Sequence, residues 1–165
     1  MYGLFYYIYT MITELALAHI KTLESQIPIW AKDCIIENAD FIISILQDNQ
    51  LSKGLDSSGA IVGTYFWTTE YVFAKDPNNR PRTQKGKGQP YNFEWSGEFF
   101  DSMNIKIDTG SSDFDIFSST GKDVFLEEQF RRNLTDFTKS NNDFVNTQII
   151  EPYISNKIEE NLFNF

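Results

Sequence analysis

The pattern of apolar positions predicts helices at the two ends of the chain. Near the start, apolar residues recur at three- and four-residue steps, as on one face of a helix. Pro28 should end or kink this helix. A second helix should run over roughly residues 29–47 and is apolar on most faces, which is typical of a buried or shared helix. The first stripe comprises Ile12, Ala16, Ile20, Leu23 and Ile27.

Alternating apolar and polar residues predict strands in the middle of the chain. The candidates are residues 65–73, 91–95, 103–107 and 114–116, with the last two joined as a hairpin through the turn at 108–112. Helices should follow over 122–131 and from Glu151-Pro152, because proline fits the first turn of a helix. This order predicts an α+β fold: N-terminal helices, a central antiparallel β-sheet with a long loop, and C-terminal helices. A length of 165 residues fits a single domain spanning residues 1–165.

Aromatic residues are unusually frequent, with 15 Phe, 8 Tyr and 3 Trp. Residues 1–12 form an apolar N-terminal arm, which is shorter than the about 20 apolar residues that a membrane span needs. We therefore expect the arm to pack on the core or on a partner. Aromatic residues anchor interfaces as well as cores, so part of the excess is expected in subunit contacts.

Residues 75–90 form a long basic loop in an acidic chain of net charge −9. An acidic body does not attract nucleic acid or an anionic membrane, but one basic loop could reach a phosphate or an acidic neighbouring subunit. The basic residues of the loop, set against the single acid Asp76, are Lys75, Arg80, Arg82, Lys85 and Lys87. Turn-forming residues within and after the loop are Gly86, Gly88, Pro90, Ser96 and Gly97.

No motif predicts catalysis, a metal site or a cofactor. Gly121-Lys122 is followed by Asp123, where a phosphate-binding loop needs a hydroxyl. His19 is the only histidine, and its place beside an apolar stripe favours a structural role. Asp113 and Asp115 could hold Mg²⁺ for a nuclease, although two acids at this spacing are more typical of the wet face of a strand.

Short motifs from Gln50 onward resemble small virion neck proteins of tailed phages, of the crAss-like and Bacteroidetes-phage type. The resemblance begins with a glycine-rich turn after a Gln-Leu pair and continues through a lysine-rich loop to a helix opened by Ile-x-Pro. The matching residues are Gln50-Leu51, Gly54, Asp56, Gly59, Tyr65, Thr69, Lys85 to Pro90, Ser96-Gly97-Glu98-Phe99 with Ser102, Leu134-Thr135 and Ile150-Glu151-Pro152.

The resemblance implies a structural head-to-tail connector: a homo-oligomeric ring of twelve copies between portal and tail. It implies no enzyme and no cofactor, and it places the protein in the virion after assembly in the host cytoplasm. The partners would be the portal and other neck or tail proteins, with non-specific contact to packaged DNA through the basic loop and no membrane. The alternatives are a soluble protein-interaction module outside the particle and a metal-dependent nuclease that uses Asp113, Asp115 and a third acid that the sequence does not identify.

Overall fold

A computed structural model describes residues 2–68, 84–108 and 113–162, and it confirms the α+β class. The strands β1 and β2 lie between the N-terminal and the C-terminal helices. A 3₁₀ turn at Leu51–Lys53 follows α2, and a π-helical turn at Asn146–Ile150 joins α5 to α6. The elements are α1 (Tyr2–Glu37), α2 (Ala39–Asn49), α3 (Glu98–Asp101), β1 (Met103–Ile107), β2 (Phe114–Ser118), α4 (Lys122–Phe130), α5 (Lys139–Val145) and α6 (Glu151–Asn161).

The expected break at Pro28 is wrong, because α1 continues through the proline. A proline inside a helix costs about 3 kcal/mol, since it removes one backbone hydrogen bond and crowds the preceding turn. The turns that follow Pro28 are buried in the core through Ala31, Cys34 and Ile35, and this burial offsets the cost. The break between the first two helices lies instead at Asn38, whose side-chain amide donates to the carbonyl of Cys34 at 2.8 Å.

The hairpin prediction is confirmed, whereas the strand expected at 91–95 and the described part, 65–68, of the strand expected at 65–73 are wrong. β1 and β2 pair antiparallel, with Ile105 opposite Ile116. Residues 65–68 and 91–95 form no strand, and Phe93 takes a φ of 55°, which is incompatible with extended backbone. The rest of the expected 65–73 strand lies outside the described residues.

The core lies where α1, α2, the hairpin and the C-terminal helices meet. One cluster of buried side chains takes members from all of these elements. The largest of its fully buried apolar residues are Ile35, Ile42, Leu46, Leu51 and Leu134.

A buried glutamine ties the end of α2 to the segment that leads into α5. The Gln50 side chain is fully buried, and its Nε2 donates to the carbonyls of Leu134 at 3.4 Å and Asp136 at 2.9 Å. Its Oε1 accepts from the backbone N–H of Thr138 at 2.9 Å and from the side-chain amide of Asn141 at 3.3 Å. Both ends of the amide are therefore satisfied inside the protein.

Residues 56–59 form a turn that centres on the buried carboxylate of Asp56. One oxygen accepts from the N–H and hydroxyl of Ser58 and from the N–H of Ala60, and the other lies 3.3 Å from Arg132 Nη1. Burial acts to raise the pKa of Asp56, but the hydrogen bonds from Ser58 and Ala60, with the Arg132 charge, outweigh burial and lower that pKa.

Candidate assembly surfaces

Helix α6 runs antiparallel along α1 and stops well short of the N-terminal end of α1. Tyr153 donates its hydroxyl to Glu37 at 3.1 Å, and eight residues later the carbonyl of Asn161 lies 3.0 Å from His19 Nε2. Residues 2–18 of α1 therefore extend beyond the described end of α6, over about 25 Å at 1.5 Å per residue. We call residues 2–18 the α1 arm; it contains residues 2–12 of the predicted 1–12 arm and forms one helix with the rest of α1, while residue 1 lies outside the described residues. His19 therefore contacts the C-terminal end of α6, and its structural role stays a prediction.

The α1 arm exposes large apolar side chains. Tyr7 and Tyr9 are 67% and 69% exposed, and Leu15 is 60% exposed. Of the residues from Tyr7 to Ala18 whose side chains are described, none is buried. Because exposed contiguous apolar surface is uncommon on a soluble monomer, this helix is a candidate contact surface.

Most exposed apolar residues of α1 lie on two opposite faces, and Leu17 lies on the side between them. One face, which we call the inner face, continues toward the buried residues Leu23, Ala31 and Cys34. The opposite face, the outer face, points away from the body. Exposed apolar residues of the inner face are Tyr9, Ile12 and Ile20, and those of the outer face are Tyr7, Met11, Leu15, Ile29 and Ile36.

Only part of the predicted basic loop is described, since Lys75, Arg80 and Arg82 fall outside the described residues. Lys87 is exposed, and its Nζ lies 5.5 Å from the centroid of the Phe66 ring, a cation–π distance. Lys85 is half-buried. Contact of these lysines with DNA or with a neighbouring subunit stays a prediction.

The predicted turn residues at 86–90 do form a turn. The N–H of Gln89 donates to the carbonyl of Gly86 at 3.2 Å, and Gly88 takes a φ of 82°. Pro90 pairs with Thr64 in an isolated β-bridge. The turn is therefore a structural feature that returns the chain to the segment around Tyr65.

Ser96 and Gly97 also form a turn, but it does not reverse a strand as expected. Gly97 has a φ of 79° and precedes the first residue of α3, and the Ser96 hydroxyl accepts from the N–H of Glu98 at 3.3 Å. The reason is that residues 91–95 are not a strand, so the glycine starts a helix instead.

An aromatic cleft of 430 Å³ lies between residues 91–99 and α4. The rings of Tyr65 and Tyr91 pack edge to face at 4.9 Å between centroids, and burial raises the pKa of Tyr65. Lys122 lies at the cleft with its Nζ 3.3 Å from a carboxylate oxygen of Glu98. The aromatic lining comprises Tyr65, Tyr91, Phe93, Trp95, Phe99, Phe125 and Phe130.

No local pattern in the sequence predicts this aromatic cleft, because its parts are far apart in the chain. The one available signal is the period-two spacing of Tyr91, Phe93 and Trp95. This spacing predicts a strand, whereas the three rings line one cavity.

A second and larger concavity, of 760 Å³, lies between α1, β2 and the run from α5 to α6. We call it the α1–α6 groove. Its apolar residues come from all sides, and Asp113, Asp136 and Lys139 contribute charge. The apolar lining comprises Ile27, Pro28, Ala31, Ile35, Phe114, Ile116, Phe137, Ile150 and Ile154.

Of the two carboxylates considered for a metal site, Asp115 lies on the exposed face of β2, as expected, whereas Asp113 precedes the strand. Asp113 and Asp115 are both exposed, and Asp115 faces Lys106 across the hairpin. Within residues 2–68, 84–108 and 113–162, no group of three or more His, Cys, Asp or Glu side chains could hold a metal ion. The thiol of Cys34 is buried, and burial, with the nearby Glu37 charge, raises its pKa.

Comparisons of the chain with protein-family models, with curated proteins and with solved structures find no match. Among the helices that the structure describes, including the long α1, none combines the length and the apolar character needed to cross a membrane. The function must therefore be inferred from the surfaces of the molecule itself.

Proposed function

We propose that this protein is a structural subunit of a tailed-phage virion, a ring-forming neck or connector component between portal and tail. The observation that carries the proposal is the α1 arm, which exposes apolar side chains on two opposite faces. A helix that is apolar on several sides is stable in water only when neighbours cover those sides. The short motifs that resemble phage neck proteins suggest which kind of assembly supplies the neighbours.

Two different apolar faces favour a ring over a twofold dimer. In a twofold dimer the same patch of each copy meets its equivalent, so a single patch is covered. In a head-to-tail contact, one patch meets a different patch of the next copy, and such contacts close into a ring when the rotation permits. The inner and outer faces of the α1 arm supply two such patches.

In this proposal the subunit has no catalytic role and holds no cofactor. The ring has twelve copies and contacts the portal and other neck or tail proteins, after assembly in the host cytoplasm. The exposed ammonium of Lys87 is available for weak, sequence-independent contact with DNA phosphates or with an acidic neighbour.

The aromatic cleft favours a second candidate function, a protein-interaction module outside the particle. Aromatic-lined clefts with a few polar groups are a recurrent mode of peptide recognition. Such a module would be monomeric or dimeric and would bind a peptide beside Trp95 and Lys122.

Electron microscopy of the purified chain, alone and mixed with portal rings, tests the proposal. We expect class averages of closed rings with twelve subunits, either free or seated on the portal. A chain that stays monomeric or dimeric in both samples would contradict the neck proposal and would leave the interaction module as the better account.

A further inference from the structure

We infer that the inner face of the α1 arm packs against the outer face of the α1 arm of the next copy, so that the arms of a ring form one continuous belt of helices. This inference rests on the proposed function and deepens it, because it names the two surfaces that meet at each contact. The observations that carry it are the residue spacing of the inner face, the absence of charge over residues 2–13, the angle between the two faces and their area.

The inner face continues a seam that a helix already covers farther along α1. Tyr9, Ile12, Ala16, His19 and Leu23 follow one another at alternating steps of three and four residues. This is the spacing of positions that meet a second helix in a coiled coil. At His19 the second helix is α6 of the same copy. Beyond the described end of α6 the side chains of Tyr9 and Ile12 are exposed, so a further helix is the element that fits the seam there.

Among the helices that the structure describes, the arm itself is the best match for this further helix. Residues 2–13 are the longest run without a charged side chain in any of them. Because each chain carries a net charge of −9, two copies repel each other, and an uncharged surface is where they approach at the lowest electrostatic cost. The outer face presents Tyr7, Met11 and Leu15 at four-residue steps, a ridge of the kind that packs between the side chains of a second helix.

The angle between the two faces makes a row of such arms curve. At about 100° per residue, Met11 at the centre of the outer face lies about 140° around the helix from Ala16 at the centre of the inner face. Faces about 180° apart would extend a straight row, whereas about 140–150° is the angle between neighbouring sides of a ring of roughly nine to twelve members. Glu14 and Lys21 lie on the wider side between the faces, which is the convex side of such a ring and stays in water.

The area of each face favours a ring over a pair of copies. A helix about 25 Å long and about 12 Å in diameter has a lateral surface of roughly 900 Å². One face takes up about a third of that surface, so one contact buries roughly 600 Å² over the two copies. Specific interfaces begin at about 1,000 Å², so a single contact does not hold a stable pair. A closed ring covers both faces of every copy, and its last contact forms within one assembly.

Cysteine cross-linking with a short bismaleimide tests which faces meet. Met11→Cys places a thiol on the outer face and Ala16→Cys places one on the inner face, while the native Cys34 is buried. The two variants are prepared separately, one of them labelled with ¹⁵N, and they are cross-linked alone and as an equal mixture, with and without portal rings. We expect cross-linked pairs that join a labelled to an unlabelled copy in the mixture, and no pairs in either variant alone.

The control is Leu17→Cys, on the wider side between the faces, which should form no pairs with either variant. Pairs in Ala16→Cys alone would mean that two inner faces meet and would overturn this inference. Rings that are visible by electron microscopy but contain no pairs between Met11→Cys and Ala16→Cys would overturn the inference and leave the proposed function in place. A chain that stays monomeric and forms no pairs, with and without portal rings, would overturn both.

Two leucines of the arm supply a second, independent readout. Leu15 lies on the outer face and Leu17 on the wider side between the faces, and the two side chains are 60% and 53% exposed. Leu15→Asn should weaken each contact by about tenfold, because an apolar side chain is lost from the contact, and the fraction of chain in rings should fall. Leu17→Asn should leave that fraction unchanged in light scattering. Equal losses of rings in the two variants would overturn the assignment of the faces.

Discussion

The α1 arm and the segment from Gln50 to Ala60 differ in the burial and hydrogen bonding of their side chains. In the segment, the buried polar groups of Gln50 and Asp56 find partners within the same chain. In the arm, large apolar groups such as Tyr9 and Leu15 remain in water. In the proposed function, the segment stabilises the fold of one copy, whereas the arm is available for contact with other copies.

The largest change in the free energy of unfolding is expected at Gln50. It would show how far the stability of the fold depends on internal hydrogen bonds. Gln50→Ala should lower the free energy of unfolding by about 3 kcal/mol, because it leaves buried partners unsatisfied and opens a cavity. Chemical denaturation at fixed protein concentration measures the change. Gln148→Ala, at an exposed position, is the control and should stay within about 0.5 kcal/mol. Equal losses in the two variants would contradict the role of Gln50.

Substitution of two glycines in the same segment distinguishes the cost of an unfavourable backbone conformation from the cost of steric overlap. Gly54→Ala should cost roughly 2–3 kcal/mol, because its φ of 72° disfavours a side chain and an added methyl would overlap the carbonyl oxygen of Tyr91. Gly59 has a φ of 81° but open space around it, so we expect Gly59→Ala to lower the free energy of unfolding by about 1 kcal/mol. Thermal or chemical unfolding of both variants checks the order, and a larger loss at Gly59 would contradict it.

The turn at Asp56 should make stability depend on pH. The pKa of Asp56 is lower in the folded state than the unfolded value of about 3.9, so its contribution is fully present above that value and is lost as pH falls through the folded pKa. Asp56→Asn should cost about 1–2 kcal/mol at neutral pH, and the difference from the original chain should shrink below about pH 4.

The control for Asp56 is Asp115→Asn, which removes an acid from an exposed position on the hairpin. Its stability should follow that of the original chain across the pH range. A gap between the original chain and Asp56→Asn that stays constant down to pH 2 would show that the carboxylate is not the group responsible.

The smallest change in the free energy of unfolding is expected for a substitution in the α1 arm. Leu15→Asn should change the free energy of unfolding of the dissociated chain by no more than about 0.5 kcal/mol, while the mass of the assembly falls. Leu23→Asn, on the same helix but buried, should cost at least about 2 kcal/mol. Equal losses at the two leucines in dilute solution would mean that the arm is packed within one copy.

The sequence predicts those parts of the fold whose signal is local. The hairpin is recognisable because Met103 to Ile107 alternate and face a second alternating run. The last helix is recognisable from Pro152 near its first position. The continuation of α1 through Pro28 was not predictable, because burial of residues on the far side of the proline decides it.

The surfaces were less predictable, since they depend on contacts between distant parts of the chain. Gln50 reaches the carbonyl of Leu134, 84 residues away, and no local pattern shows this. The aromatic cleft likewise joins Tyr65 to Phe130. The apolar character of the arm predicts packing on the core or on a partner, and the structure leaves the described side chains of residues 7–18 unburied within one copy. The two faces appear only once α6 is seen to end beside His19.

Light scattering of the full chain at two ionic strengths, over a range of concentrations and with and without portal rings, tests the central claim most directly. The account predicts closed assemblies near twelve copies, or a set of oligomers whose mass depends on salt and on an intact Leu15. A chain that remains a monomer under all of these conditions would contradict the claim that the α1 arm is an assembly surface.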